Sequence, residues 1–454
     1  MPTLMVSISG IRGIVGDGLD PKVLVEYISA YAEFIGKGTV VVGRDARITG
    51  EMVQSIVTGT LMSKGIDVVE IGIVPTPTVQ FTVKTLKAQG GIAISASHNP
   101  NEWNALKLLN STGQFMTPEE NVKLKERLNR NKKNGDNFKS WDKIGKSKQF
   151  RGALKNHVES VLKLKYIDKA KINRRKFKVL VDCVNGAGVY VIPDMLRELG
   201  CRVTEMNCEK TGIFPRLPEP LPENLKKTML AVKKHKADLG IVVDPDVDRL
   251  VLITEKGEPF GEENTITQAV KFILSKKKGN VVVNLSTTRA IDDVVNNTKS
   301  KVFRSAVGEA NVVKLMKEEN AIIGGEGSGG VIYPALHYGR DALVGIAITL
   351  QHLLDFGGRM SELKDSLPGY FIVKKKINLG KSDPDKIIKK LVKKYGEEKS
   401  NTVDGLRLDF TNHWVHFRKS NTEPIIRIIV EAEYKKEAEA LAVKYFEDIK
   451  KLAK

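Results

Sequence analysis

Three times in this chain a short apolar run of strand length stops at a polar loop. Gly90-Gly91-Ile92-Ala93-Ile94 gives way to Ser95-Ala96-Ser97-His98-Asn99-Pro100. Asp238-Leu239-Gly240-Ile241-Val242-Val243 ends in Asp244-Pro245-Asp246-Val247-Asp248-Arg249. Ala321-Ile322-Ile323 leads into Gly324-Gly325-Glu326-Gly327-Ser328-Gly329-Gly330. An unbroken apolar run of about four to eight residues between helical patterns reads as a strand buried on both faces, and such a strand needs helices to cover it. That restricts the chain to α/β layering, with polar loops at the strand ends, where this architecture places its chemistry. The recurrence is the pattern of a remote internal repeat.

The intervening sequence keeps the alternation. Thr39 to Gly43 and Ile66 to Ile73 read as strands around a helical pattern from Glu51 to Lys64, followed by the stiff turn Val74-Pro75-Thr76-Pro77-Thr78. Residues 130–150 are rich in Lys and Asn, weakly patterned, and read as an exposed excursion or linker. A second unit starts near Phe150. Its strand Phe177 to Asp182 turns at Asn185-Gly186-Ala187-Gly188 into a helix expected to reach Leu199-Gly200. The spaced third glycine of a dinucleotide-binding turn is missing there, which argues against a nicotinamide site. A third unit starts near Thr254. After Leu367-Pro368-Gly369 the pattern changes to β–α–β–β–β–α and ends in an amphipathic helix, Tyr434 to Leu452. The expected fold class is α/β: three similar mixed-sheet α/β domains at 1–149, 150–253 and 254–367, then a smaller C-terminal α+β domain at 368–454.

With 454 residues, 41% hydrophobic and 28% charged, the chain has the composition of a folded protein with ample core. Its most apolar stretch, Ala342 to Leu354, is interrupted by Gln351 and His352 and falls short of the roughly 18–20 residues a bilayer requires. The N-terminus lacks an apolar signal core. No membrane segment is expected. Cys183, Cys201 and Cys208 lack metal-ligand spacing and read as thiols of a reducing, cytoplasmic protein. The net charge is +19. No basic region interleaves with aromatics as single-strand binders require, so nucleic acid is not an expected partner. Solvated helical faces such as Lys226-Lys227 absorb much of the charge, and the rest suits an anionic small substrate.

Several residues stand out chemically. Ser97 and His98 bring a hydroxyl and an imidazole to a strand end, although the same residues would serve as a capped polar turn. Ser9-Gly10-Ile11-Arg12-Gly13 reads as a glycine-flanked loop from which Arg12 can meet a phosphate. Lys107 is either a phosphate-neutralising cation, a proton donor with a pKa lowered by burial, or a plain surface lysine. Asp244, Asp246 and Asp248 can converge on one hard divalent cation with Arg249 alongside; a structural acidic turn is the other reading. An EF-hand is excluded because Arg249 occupies the place of its required glycine and Leu250 to Ile253 reads as a strand. A phosphatase loop with Asp244 as nucleophile leaves the third aspartate and Arg249 unexplained. Glu326 and Ser328, set among glycines, suit sugar hydroxyls. Arg418-Lys419-Ser420-Asn421-Thr422-Glu423-Pro424, with Arg427 beyond, makes either a phosphate cradle or a polar hairpin turn.

With these loops in this order, the chain resembles the α-D-phosphohexomutase family over essentially its whole length. That resemblance implies four domains around a deep central cleft, each contributing one loop. It implies that Ser97 carries the transferred phosphoryl group and that Arg12, His98 and Lys107 serve the transfer. Asp244, Asp246 and Asp248, with an oxygen on Ser97, would bind Mg²⁺. Arg249, beside them, would bind substrate, Glu326 and Ser328 would contact the sugar hydroxyls, and Arg418, Ser420, Asn421, Thr422 and Arg427 the non-reacting phosphate. The implied activity interconverts hexose 1-phosphate and hexose 6-phosphate, of glucosamine, glucose or mannose, through a phosphoserine enzyme and a hexose 1,6-bisphosphate that also acts as activator. The implied partner is a small phosphosugar, and a homo-oligomer is compatible with the family. A metal-dependent sugar-phosphate phosphatase and an inactive phosphosugar-binding protein are the alternatives. The chain departs from the family pattern at Ala105, Pro245 and Val247, where glycines are common, and at Gly330, where several members carry a histidine. No residue of the sequence stands out as a reader of sugar carbon 2.

Overall fold

The computed structural model describes residues 3–7, 10–296, 298–380, 382–396, 399–419 and 425–453. Its first three sheets repeat one topology. The second sheet runs Arg202–Met206, Lys178–Asp182, Leu239–Val243, all parallel, and closes with antiparallel Leu250–Thr254. The third runs Val302–Ser305, Val281–Asn284, Ile323–Glu326 in parallel and closes with antiparallel Gly330–Ile332. The same order, Asp67–Ile73, Thr39–Arg44, Gly90–Ile94, Trp103–Leu109, forms the middle of the first sheet. Each central strand is buried along its length because helices cover both faces. In every unit the third strand lands on the far side of the first, so the winding reverses there. Crevices at such reversals, outside the carboxyl ends of the strands, are where open α/β sheets bind ligands. The hairpin leaving the third strand holds Ser97, the aspartates, or Gly327 to Gly329. The repeat suggested by the sequence is therefore a repeat of topology.

The second and third units share one apolar core, running from Val179 through Ile266 to Leu353, while the first unit and the C-terminal unit have cores of their own. A buried polar chain ties the first three together. His157 stands between Thr78 Oγ1 at 2.9 Å and Asp341 Oδ2 at 2.8 Å, and His337 Nε2 reaches the same Asp341 oxygen at 3.0 Å. The C-terminal sheet is antiparallel throughout, in the order Phe371–Asn378, Ile425–Ala432, His413–Lys419, Leu406–Asp409, Lys399–Asn401. Helices Pro384–Tyr395 and Lys435–Ala453 supply apolar side chains to its core.

Four local expectations change. Arg12 lies within a strand, Gly10–Val15, hydrogen-bonded on both sides, because the segment between its glycines pairs with Met5–Ser7 and Trp103–Leu109; Ser9 lies outside the described residues. The helix expected after Gly188 is broken into a 3₁₀ turn, Ala187–Tyr190, and a short helix, Ile192–Glu198, whose first turn carries Pro193. Residues 130–150 are not a plain linker: helix Pro118–Asn134 enters them and Ser147–Gln149 becomes the edge strand of the first sheet. The C-terminal unit gains the short strand Lys399–Asn401. Among the described residues no helix is long and apolar enough to cross a membrane.

Candidate active site

The three repeated hairpins and the C-terminal sheet meet at one cavity of about 740 Å³. Ser97 and Lys107 line it from the first unit, Arg249 from the second, Glu326 and Ser328 from the third, Arg418 and Arg427 from the fourth.

Ser97 is held in the left-handed region, φ 49°, a conformation that costs a non-glycine residue energy unless its surroundings enforce it. Arg47 does much of the enforcing. Its guanidinium is buried, pairs with Asp45 at 3.0 Å, and donates to the carbonyls of Ser97 and Asn99 at 2.7 Å each and of Trp103 at 2.9 Å, as well as to that of Pro100. Asp45 in turn accepts from Ser95 Oγ at 2.7 Å, and that same oxygen accepts from the Ser97 N–H at 2.9 Å. The Ser97 hydroxyl is thereby aimed at the second unit, where it donates to Asp244 Oδ2 at 2.7 Å.

Asp244, Asp246 and Asp248 are fully buried, with carboxylate oxygens within 4.8 Å of one another. Spacing by two would put the three side chains on one face of a regular strand; here they lie in a turn that contains Val247 at φ 62°, and their carboxylates still converge. Burial, then Asp248 and Asp246, push the Asp244 carboxyl well up. Burial raises Asp246 too, but the charge and hydrogen bond of Lys107, Nζ at 2.5 Å, outweigh it and leave Asp246 below the ordinary range. Asp246 Oδ1 and Asp248 Oδ1 are buried without any hydrogen-bond partner. Two partnerless carboxylate oxygens pointing into an acidic cluster are what an oxygen-loving divalent cation would satisfy. The triad therefore fits a metal. Gly186 makes the loop possible: a side chain there would sit 2.6 Å from the Pro245 backbone.

The cations around Ser97 differ in kind. Burial would lower Lys107, yet Asp246 and Asp248 raise it on balance, so the fall expected from sequence does not occur and Lys107 stays an ammonium. His98 goes the other way: burial, then Arg249 and Arg12, push its imidazole down to about 2. It stands neutral and is a weak proton acceptor, with Nδ1 buried and unpartnered. Arg12 Nη1 donates to Asn99 Oδ1 at 3.3 Å.

Glu326 leaves its strand held from three sides. Asn284 Nδ2 and the Gly308 N–H donate to Oε1 at 2.9 and 3.0 Å, and Arg340 Nη1 pairs with Oε2 at 2.6 Å. Arg340 also pairs with Asp248 at 2.6 Å and Glu309 at 3.1 Å, so one guanidinium joins the aspartate loop to the glutamate loop. In the C-terminal sheet, Arg418 and Arg427 are direct cross-strand neighbours, and Lys376 is the next partner in the row. Ser420, Asn421 and Thr422 lie outside the described residues.

Models of the phosphoglucomutase/phosphomannomutase α/β/α domains I, II and III and of the C-terminal domain match residues 5–135, 155–257, 263–370 and 376–447. The chain belongs to the phosphoglucomutase/phosphomannomutase family. Its relatives include a probable phosphoglucosamine mutase of Methanopyrus kandleri, 36% identical with 98% of this chain and 97% of the relative covered. A phosphoglucomutase/phosphomannomutase of Thermococcus kodakarensis is also 36% identical, covering 94% of each chain. Among solved structures, a family protein from Burkholderia thailandensis superposes with a TM-score of 0.86 at 26% identity, over 99% of this chain and 98% of that one.

In this member of the phosphoglucomutase/phosphomannomutase family, the departure at Gly330 has a structural reason. A side chain at Gly330 would lie 2.3 Å from Arg340 Cδ, so the missing side chain is the lane through which Arg340 reaches Asp248 and Glu326. Arg47, Arg340, Glu309 and Lys376 carry no site role in the sequence reading. Arg47 and Arg340 had a local signal, each within two residues of an aspartate at a strand or helix end, but the Ser97 carbonyl lies 50 residues from Arg47 and Asp248 lies 92 from Arg340. Lys376 hid in the run Lys374-Lys375-Lys376, where only strand alternation separates cleft-facing from helix-facing lysines.

Proposed function

We propose that this protein interconverts hexose 1-phosphates and hexose 6-phosphates, with Ser97 as the residue that carries the phosphoryl group. The observation that supports this most strongly is the Ser97 hydroxyl bonded across the domain boundary to Asp244, in one cleft with a row of arginines on a separate unit. A hydroxyl of the bound hexose 1-phosphate attacks phosphorus on phospho-Ser97. The bond from phosphorus to Ser97 Oγ breaks, the bond to the sugar oxygen forms, and the proton of the attacking hydroxyl ends on Ser97 Oγ. The hexose 1,6-bisphosphate turns end for end, and its other phosphoryl group passes back to Ser97 as the 6-phosphate leaves. Lys107, Arg12 and Arg249 stabilise phosphoryl oxygens as cations, while Glu326 and Ser328 accept and donate to sugar hydroxyls. His98, held neutral, serves as a hydrogen-bonding group. Asp244, Asp246 and Asp248 would hold Mg²⁺, which supplies Lewis-acid withdrawal of charge from the phosphoryl group.

Residues 368–454 act as the lid in this reading, hinged at Leu367-Pro368-Gly369. Arg418, Arg427 and Lys376, with Ser420, Asn421 and Thr422, take the phosphate that is not reacting. A bisphosphate intermediate requires water to be kept out, and closure of this unit does that. Because the sugar binds in two orientations, the same grip serves both ends. Three unpaired thiols, two of them buried, suit a reducing cytoplasm.

The test is a panel of glucosamine, glucose, mannose and galactose 1-phosphates with Mg²⁺ and a bisphosphate activator, scoring 6-phosphate against free phosphate. Peptide mass spectrometry should place phosphate on Ser97. Ser97→Ala should lose about a thousandfold or more in kcat, the order seen when a covalent nucleophile is removed. Near-full mutase activity in that variant, or free phosphate as the main product of the wild type, would overturn the reading.

A further inference from the structure

The cleft is lined by cations, yet one of its carboxyls lacks one. Glu326 and Glu309 share Arg340, and Glu219 lies 3.8 Å from Arg249. Glu263, at the start of helix Glu262–Lys276, also lines the cavity. Among the described residues no lysine or arginine lies within ion-pair distance of it; the neighbouring Lys374 turns instead to Glu262 at 2.6 Å. Its carboxylate accepts a hydrogen bond from the Thr288 N–H at Oε2, 3.0 Å.

Its position is as specific as its charge. The carboxyl is wedged against the sugar loop: a side chain on Gly327 would come within 2.0 Å of Oε2 and 2.2 Å of Oε1. Gly327 stands between Glu326 and Ser328, the two residues proposed above to hold sugar hydroxyls. Glu263 therefore stands directly beside the residues proposed to hold the ring.

We infer that Glu263 pairs with the 2-ammonium group of a glucosamine phosphate, making the site selective for an amino sugar over its neutral counterpart. This rests on the phosphohexomutase reading. Densely packed protein around the half-buried side chain pushes the carboxyl up to about 8, the burial outweighing the pull of Lys374. Near neutral pH the free site therefore holds a protonated acid. An ammonium sugar supplies the missing cation and drives that proton into solution. A neutral 2-hydroxyl offers only a hydrogen bond, so the exchange of proton for substrate charge does not take place with glucose or mannose phosphates. The sequence hid this residue because Glu262-Glu263 at a helix N-terminus is ordinary dipole complementation.

The experiment compares glucosamine 1-phosphate with glucose 1-phosphate in the wild type and in Glu263→Gln. Removing one member of a desolvated charge pair costs about 30-fold or more, so kcat/KM for the amino sugar should fall by that factor. For glucose 1-phosphate it should stay within about threefold, because a hydrogen-bonding group remains. Equal losses on both sugars would make Glu263 a structural residue, and no loss on either would remove it from the site; both outcomes overturn the inference while leaving the mutase reading intact. A wild type that isomerises neither sugar overturns the mutase reading itself. Titration calorimetry at about pH 6.5, in two buffers of different ionisation enthalpy, reads the wild type without a variant. Glucosamine 1-phosphate should release close to one proton more than glucose 1-phosphate, and equal proton release would refute the pairing.

Discussion

Arg340 joins three carboxylates in the cleft, and the structure sets the size of the loss when it is removed. Arg340→Ala strips the guanidinium from Asp248 at 2.6 Å, Glu326 at 2.6 Å and Glu309 at 3.1 Å, at a site only 12% exposed. Breaking one buried ion pair costs about 3–5 kcal/mol. The three losses do not add, because Asp248 keeps Lys107 at 3.5 Å and Glu326 keeps Asn284 and the Gly308 N–H. Among the described residues, Glu309 retains the hydrogen bond from Gln80, at 2.9 Å. The expected cost is therefore about 3–5 kcal/mol in total, which at roughly 2–4 °C per kcal/mol for a domain of this class lowers the melting temperature by about 10 °C. The deficit should depend on pH. Burial already pushes the Glu309 carboxyl up to about 7 against the pull of Arg340, and without Arg340 it rises further. A carboxyl whose folded pKa lies above its unfolded value of about 4.3 favours folding while protonated and opposes it as pH rises through the folded value. The variant should thus lie furthest below the wild type near pH 8.5 and approach it near pH 5. Thermal unfolding at both pH values, with 6-phosphate formation measured alongside, gives the answer. Arg340→Lys should recover only part of the loss, since a single ammonium cannot span three carboxylates. Melting within about 2 °C of the wild type at both pH values, or a deficit that grows on acidification, would refute the electrostatic account.

Two further outcomes follow from the site. Asp246→Asn removes the one charge of the aspartate triad that Lys107 approaches most closely, so Mg²⁺ affinity by calorimetry should drop about tenfold or more, with activity falling in step; unchanged affinity would make the triad structural. Arg418→Ala should raise KM by about tenfold for every accepted sugar phosphate, because all of them present the same group to the fourth unit; an effect confined to one sugar would contradict a phosphate contact.

The sequence by itself determined the buried central strands and the loops at their ends. Gly90 to Ile94 and Leu239 to Val243 admit no reading but buried strands, and helices on both faces follow from that burial. Ser97, the three aspartates, Glu326 and Arg418 were legible because each sits at the end of its own strand, where a local pattern marks it. What lies between those loops was decided only by tertiary structure. Arg47 supports Ser97 across 50 residues, Arg340 reaches Asp248 across 92, and Glu263 meets Gly327 through the absence of a side chain. None of these contacts leaves a trace in local periodicity, because periodicity reports which face of an element is buried and not what it is buried against. Ionisation was undecided for the same reason. Lys107 is held charged by Asp246 and His98 neutral by Arg249 and Arg12, and both outcomes depend on which charges the fold brings within a few ångströms in a poorly solvated cleft.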